Sequence, residues 1–412
     1  MSDTPMPRRS FLGRCAAGAA STALGGLLVP SARAPGANDR VNIALIGCGA
    51  RGTYLYGEVR RQGQELNAEV NVLCDVWRPA REKLAVAIQE ATGQPPRQFG
   101  RYTDVLALDD VDAVVIATPD FAHSRILAAA AAAGKDAYCE KPMASNLADA
   151  KAALKAVEQN RRIVQVGTQR RSEGAQMAAA ELLRTGLLGK ITAVEVGWCD
   201  AGPRWARDYG DVKAEDVDWE GYLMDLPPRE FDPARFRRWH LYKDYTVGQP
   251  GLLGSHVIDL ATWYMADPLP VNCVAHGGIY IWQDGREHAD TITCLYEYPQ
   301  GWQLTYLGRL GNSCGRPEAT FFGLRGTFDT ASFKATGRGG GQDKLTEEVG
   351  ITPQPDVNHM RNWLECLRSR AQPNAPVQAG YAHSVASIMG FLAWETGQRQ
   401  VYDPERQEIR AG

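Results

Sequence analysis

No two cysteines in the chain stand as a C-x-x-C pair, and none joins histidines at the spacing of a structural zinc site. The common sequence-encoded zinc and redox motifs are therefore excluded. An excess of either charge is also missing, since 45 Lys and Arg face 48 Asp and Glu for a net charge of −3. That balance supplies no electrostatic reason to expect nucleic acid or an anionic membrane as partner. The apolar stretch from Ala16 to Pro30 is too short and too rich in Gly and Ala for a confident membrane span. No internal repeat is present, which removes solenoid and propeller architectures.

What is present has the composition of a soluble globular protein, with 44% hydrophobic and 23% charged residues. A chain of 412 residues is too long for one ordinary domain, so two domains and a small appendage are expected. The appendage is residues 1–34. Pro7-Arg8-Arg9-Ser10-Phe11-Leu12 is a twin-arginine pattern, the apolar stretch follows, and Ala32-Arg33-Ala34 offers small residues for a signal peptidase. A twin-arginine signal peptide is expected, and with it a periplasmic or otherwise exported protein without stable membrane insertion. A disordered tail with a chance Arg-Arg pair is the alternative. Cys15 would leave with the signal. Most of the other eight cysteines sit in apolar runs, as reduced, buried thiols do, although an oxidising compartment also permits a disulfide.

From Val41 short apolar runs alternate with helical stretches. Strands are expected at 41–46, 70–74, 113–117, 137–139 and 163–166, with helices starting near Tyr54, Pro79, Ser124 and Leu147. Continuous apolar strands between helices argue for a parallel sheet covered on both faces. Residues 270–330 change character. They hold long β-branched and aromatic runs at 271–282, 290–298, 302–310 and 319–328, with Pro299-Gln300-Gly301 as a hairpin signal. The expected fold is thus α/β, with a parallel-sheet domain at 35–160 and an α+β domain with a large, mostly antiparallel sheet at 161–412. Closing helices are expected at 359–370 and 382–396.

The first strand ends at Gly47-Cys48-Gly49-Ala50-Arg51-Gly52, a G-x-G-x-x-G turn that opens a helix. In such a Rossmann turn the first glycine bends the chain, the second admits a pyrophosphate and the third lets helix pack on strand. The helix N-terminus then faces the phosphates. Asp75 ends the next strand, where a carboxylate accepts hydrogen bonds from ribose hydroxyls and repels a 2′-phosphate. NAD is therefore expected over NADP, although Arg78 stands close enough to offset that repulsion.

The later strands end on Ala117-Thr118-Pro119-Asp120, with His123 following, and on Glu140-Lys141-Pro142. With the glycine turn and Gly254-Ser255-His256-x-x-Asp259, these motifs make nearly all of the chain beyond residue 34 resemble the Gfo/Idh/MocA family of oxidoreductases. The resemblance implies that Thr118, Pro119, His123, Glu140 and Lys141 border the cofactor and that Lys141 handles the proton of the reacting hydroxyl. A cis Pro142 would aim that lysine into the cleft. Hydride leaves a carbinol carbon readily only if the hydroxyl proton is also removed, so an acid–base group must lie within hydrogen-bond reach. His256 is the second candidate, as base or hydrogen-bond partner, with Asp259 to orient it or contact sugar. The sequence departs from the family at Leu252, where many members carry an aspartate. Arg170, Tyr245 and His383 are further substrate candidates. Asp200, Trp205, Trp219, Trp239, Tyr242 and Asp244 suit a carbohydrate cleft as a group, or equally core packing.

Export bears on the chemistry, because no pool of free NAD exchanges with a protein outside the cytoplasm. An exported member of this family is expected to hold NAD tightly and restore it within each cycle. The expected activity is sugar oxidoreduction, with one sugar hydroxyl oxidised and a second sugar reduced. An NAD-dependent glycosidase, working by oxidation, elimination, hydration and re-reduction, is the alternative. A non-catalytic sugar-binding protein with a relic nucleotide fold is the third reading, which Leu252 favours and Lys141 and His256 oppose. The resemblance also implies a homo-oligomer, dimer or tetramer.

Overall fold

Apolar strands of three to seven residues, each followed by a helix, can bury both faces only by pairing in parallel under helical layers. The computed structural model, which describes residues 39–201 and 210–412, shows that arrangement. The twin-arginine segment at 1–34 and Trp205 lie outside the described residues. Strands β1 (Val41–Ile46), β2 (Ala68–Cys74), β3 (Arg97–Phe99), β4 (Ala113–Ile116), β5 (Asp136–Cys139) and β6 (Val164–Val166) pair in the order β3-β2-β1-β4-β5-β6. Every pairing is parallel. The order reverses between β1 and β4, so the glycine turn after β1 and the Thr118-Pro119 turn after β4 open on one crevice, where ligands of such sheets bind. Strand β3 has no apolar pattern to announce it, with two of its three residues exposed. The sheet runs past residue 160, since β6 ends at Val166.

The second sheet has ten strands. They are β7 (Ile191–Cys199), β8 (Asn272–Gly278), β9 (Thr291–Tyr298), β10 (Trp302–Arg309), β11 (Ala319–Gly323), β12 (Thr327–Asp329), β13 (Lys334–Thr336), β14 (Val349–Gly350), β15 (Gln400–Asp403) and β16 (Glu408–Ala411). Their order is β14-β13-β12-β11-β7-β10-β9-β8-β15-β16, and β7 with β10 is the one parallel pair among them. The mostly antiparallel sheet expected for this half is therefore present. The run expected at 319–328 is two strands, because the chain turns back at Gly326, whose carbonyl accepts from Gly323 N at 2.9 Å. Gly301, at φ +78°, makes the β9–β10 turn.

The closing helices return to the first sheet. Trp363 and Leu364, on the helix His359–Ser369, pack in one core with Val41, Ile43 and Leu45 of β1. The last helix, Val377–Thr396, starts before the expected Ala382 and contributes Val385 and Met389 to a core shared by both sheets. Among the described residues no helix is long and apolar enough to cross a membrane.

Candidate active site

The crevice at the strand-order reversal is a cleft of roughly 1230 Å³ lined from both halves of the chain, including Gly49, Asp75, Lys141, Arg170 and His256. It exceeds the ~300–1,000 Å³ of ordinary small-molecule pockets and leaves space for an extended dinucleotide beside a second ligand. The glycine turn forms one wall. Gly47 has φ +98°, and a Cβ there would lie 2.6 Å from the Ala117 carbonyl. A Cβ on Gly52 would lie 1.8 Å from the Gly47 oxygen, so helix and turn touch there. A Cβ on Gly49 would meet nothing within 4 Å, because that position faces the open cleft. The helix Ala50–Leu66 starts there with no side-chain cap and no acidic residue in its first turn. Its first N–H groups are thus positioned for an anion, and the buried Thr118 hydroxyl in the same cleft has no partner. These residues fit a dinucleotide.

Asp75 has more to do than expected. Its carboxylate accepts from Cys48 N at 2.6 Å and from Trp77 N at 2.8 Å, tying the end of β2 to the glycine turn. Burial pushes this carboxyl up, and the two N–H bonds and Arg81 oppose that rise. Arg78, the residue able to offset a 2′-phosphate, is instead paired with Asp216 and, at 3.6 Å, with Glu82. Arg51 and Glu140, both expected at the cofactor, pair with each other at 2.7 Å in the cleft wall.

His123 lines the cleft but is 1% exposed, with Nδ1 2.8 Å from the Pro142 carbonyl and Nε2 2.8 Å from the Thr118 carbonyl. It bridges the β4 turn and the segment after β5 through both ring nitrogens. The Lys141–Pro142 peptide is cis. Lys141 Nζ donates to the Leu252 carbonyl oxygen at 2.5 Å. That main-chain oxygen gives the lysine a partner at residue 252, where the resemblance led to an expected aspartate.

His256 lines the cleft and stacks on Trp198, with ring centroids 5.6 Å apart and planes 28° from parallel. Burial first, then the cations Lys141, Arg170 and Arg51, hold its pKa well below the usual histidine range. Asp120, at the start of the helix Asp120–Ala132, also lines the cleft and accepts from Thr246 Oγ1 at 2.8 Å. Burial pushes its carboxyl up to about 6, against the pull of His123 and Lys141. Sequence reasoning quoted Asp120 within its motif and missed it as a site residue.

Three substrate candidates lie elsewhere. Asp259 is 1% exposed and forms a two-pronged pair with Arg171, at 2.8 and 2.9 Å, so it neither orients His256 nor reaches the cleft. Burial alone would raise its pKa, but Arg171 and His383 hold it below the usual range. His383 is buried behind the wall, where its Nε2 accepts from Met143 N at 3.3 Å and its Nδ1 lies 3.9 Å from Asp259. Tyr245 is fully buried between Phe121 and Tyr222, at 5.4 and 5.5 Å between centroids. Arg170 does line the cleft, held by Glu318 (Nε, 2.9 Å) and Glu173 (2.7 Å). Of the aromatic and acidic group, Trp239 lines the cleft. Trp219 lies flat on Tyr222, Tyr242 sits under Arg235, and Asp244 pairs with Arg229 and Arg235. Among the described residues no group of three or more His, Cys, Asp or Glu is arranged to hold a metal ion.

Comparison with known proteins agrees with this geometry. Over 149 residues the chain is 35% identical to an inositol 2-dehydrogenase of Cereibacter sphaeroides, covering 36% of this chain and 42% of that one. Over 263 residues it is 30% identical to a glycosyl hydrolase family 109 protein of Stenotrophomonas maltophilia, covering 59% and 54%. The chain thus spans about half the length of the curated relatives it matches. Its fold is similar to the crystal structure of an aldose-aldose oxidoreductase from Caulobacter crescentus complexed with glycerol. The TM-score is 0.64 at 21% identity, over 87% of this chain and 99% of that one. Residues 41–168 match the oxidoreductase family with an NAD-binding Rossmann fold. That match encloses the glycine turn and Glu140-Lys141-Pro142, so residues 41–168 are similar to the NAD-binding half of Gfo/Idh/MocA oxidoreductases.

Proposed function

We propose that the protein is an exported sugar oxidoreductase that holds NAD tightly and restores its oxidation state in every turnover. The observation that carries this reading is the convergence, in one cleft, of an anion-ready glycine turn, Lys141 and His256. The relatives named for inositol and aldose oxidoreduction support a carbohydrate hydroxyl as the reacting group. When bound, NAD would supply the hydride chemistry. The chain's own residues handle the proton. Lys141, oriented by the Leu252 carbonyl, takes the proton from the substrate oxygen and gives it back in the reverse half-cycle. A backbone carbonyl carries a dipole and not a full charge, so it orients the amine with less bias toward the ammonium form than a carboxylate has. His256 offers one nitrogen to the same hydroxyl, and Trp198 behind it fixes the ring plane.

The second reading, an NAD-dependent glycosidase, is supported by the glycosyl hydrolase family 109 relative, which the chain matches over 263 residues. The same proton-handling pair would serve it, first at the oxidised hydroxyl and then at the acidified neighbouring C–H.

The test is to purify the protein, release any bound nucleotide with denaturant and identify it. Aryl glycosides and free sugars are then supplied without added NAD. Co-purifying NAD with sugar turnover is the expected result. Phenol release selects the glycosidase, and failure of the protein to bind any nucleotide overturns both.

A further inference from the structure

The described cysteines fall into two groups. Cys48, Cys74, Cys139, Cys273, Cys294 and Cys366 are buried, whereas Cys199 is partly accessible and Cys314 exposed. These last two meet across 115 residues of sequence, with their sulfurs 3.2 Å apart. Cys199 ends β7, and the segment after β10 doubles back over that end. Asp200 N donates to the Arg309 carbonyl at 2.9 Å, Ala201 N to Ser313 Oγ at 2.9 Å, and Cys314 N to Asn312 Oδ1 at 2.7 Å. A disulfide needs its sulfurs about 2.0 Å apart. About an ångström of movement in an exposed segment closes the gap.

We propose that Cys199 and Cys314 form a reversible thiol–disulfide site beside the catalytic cleft, oxidised by a small disulfide of the glutathione class. The exposed Cys314 thiolate attacks one sulfur of that oxidant and displaces a thiolate. Cys199 then loses its proton, attacks Cys314 Sγ and displaces the second thiolate. Two protein thiols give up two electrons and two protons, and the oxidant leaves as two thiols. The order follows from the surroundings, because Cys314 is exposed to the oxidant whereas Cys199 is partly covered and burial raises its thiol's pKa.

The site is placed to be felt in the cleft. Trp198, stacked on His256, immediately precedes Cys199. The tethered segment continues to Glu318, which holds Arg170 in the cleft wall. Closing the disulfide fixes both ends of that wall to each other.

The experiment treats the purified full-length protein with glutathione disulfide under native conditions, alkylates the remaining thiols and maps peptides without reduction. The expected product joins the Cys199 and Cys314 peptides, with two thiols lost per chain and both recovered on reduction. Cys199→Ser should instead retain glutathione at Cys314, and Cys314→Ser should give no cross-link. Proteolysis within 310–318 should slow several-fold in the oxidised protein. Full alkylation of all thiols after oxidation, a cross-link through other cysteines, or unchanged cleavage within 310–318 would overturn the proposal.

Discussion

Lys141 Nζ and the Leu252 carbonyl oxygen, 2.5 Å apart, join the end of a parallel strand to a helix of the second half. A main-chain oxygen therefore engages the lysine of the Glu140-Lys141-Pro142 strand end, and Leu252 leaves that lysine positioned. Replacing Lys141 with Ala should lower kcat about 10²–10⁴-fold, the usual contribution of a general acid–base group, with nucleotide still bound. Turnover near the wild-type rate would remove Lys141 from the mechanism.

Restoring the missing carboxylate tests the same contact. Leu252→Asp places a negative charge near the ammonium, which favours the protonated lysine. The rise of kcat/KM with pH should move to higher pH by about one unit. A pH–rate profile checks this, and an unmoved limb would mean that residue 252 does not sense the lysine.

Acid stability follows from buried histidines. Burial holds His288 and His359 at about 4 and His256 well below its usual range. The unfolded chain takes up protons at these groups from about pH 6.5 downward while the folded chain does not, so stability is lost as pH falls from about 6.5 toward 4. Asp120, raised to about 6, works the other way over pH 6 to 4 but is a single group. Tm should fall across that window, and a flat profile would contradict the neutral state of these rings.

Asp259→Asn separates cleft from core. The substitution leaves Arg171, whose side chain is 13% exposed, without its buried carboxylate. Denaturant unfolding should show a loss of about 3–5 kcal/mol. Because Asp259 does not line the cleft, KM for sugar in the folded fraction should change little.

Gly49 and Gly52 should part ways. An alanine at 49 meets no atom of the chain, so the protein should fold with normal Tm yet bind NAD at least about tenfold more weakly, as its methyl faces the expected pyrophosphate path. An alanine at 52 would strike the Gly47 carbonyl and should destabilise the protein itself. Calorimetric titration with NAD and thermal unfolding distinguish the two.

Local patterns settle much of this protein. The apolar strands of the first half, the glycine turn and the Glu140-Lys141-Pro142 strand end are legible because each depends on neighbours within a few residues. Strand β3 is not legible that way, since tertiary pairing and not apolar periodicity makes it a strand, whereas β7 carries the alternating Val194-Glu195-Val196 and was overlooked. The same division runs through the site. Motif and chemistry singled out Lys141 and His256, which both line the cleft, whereas the partners of each candidate were set by residues far along the chain. Arg171 claims Asp259, Met143 N engages His383, and Phe121 and Tyr222 enclose Tyr245. Residue type limits which hydrogen bonds a side chain can make, but burial and the arrival of distant partners decide which are made. The cofactor turn was therefore written into six consecutive residues, while the roles of the polar groups around it awaited the packing of the second half onto the first.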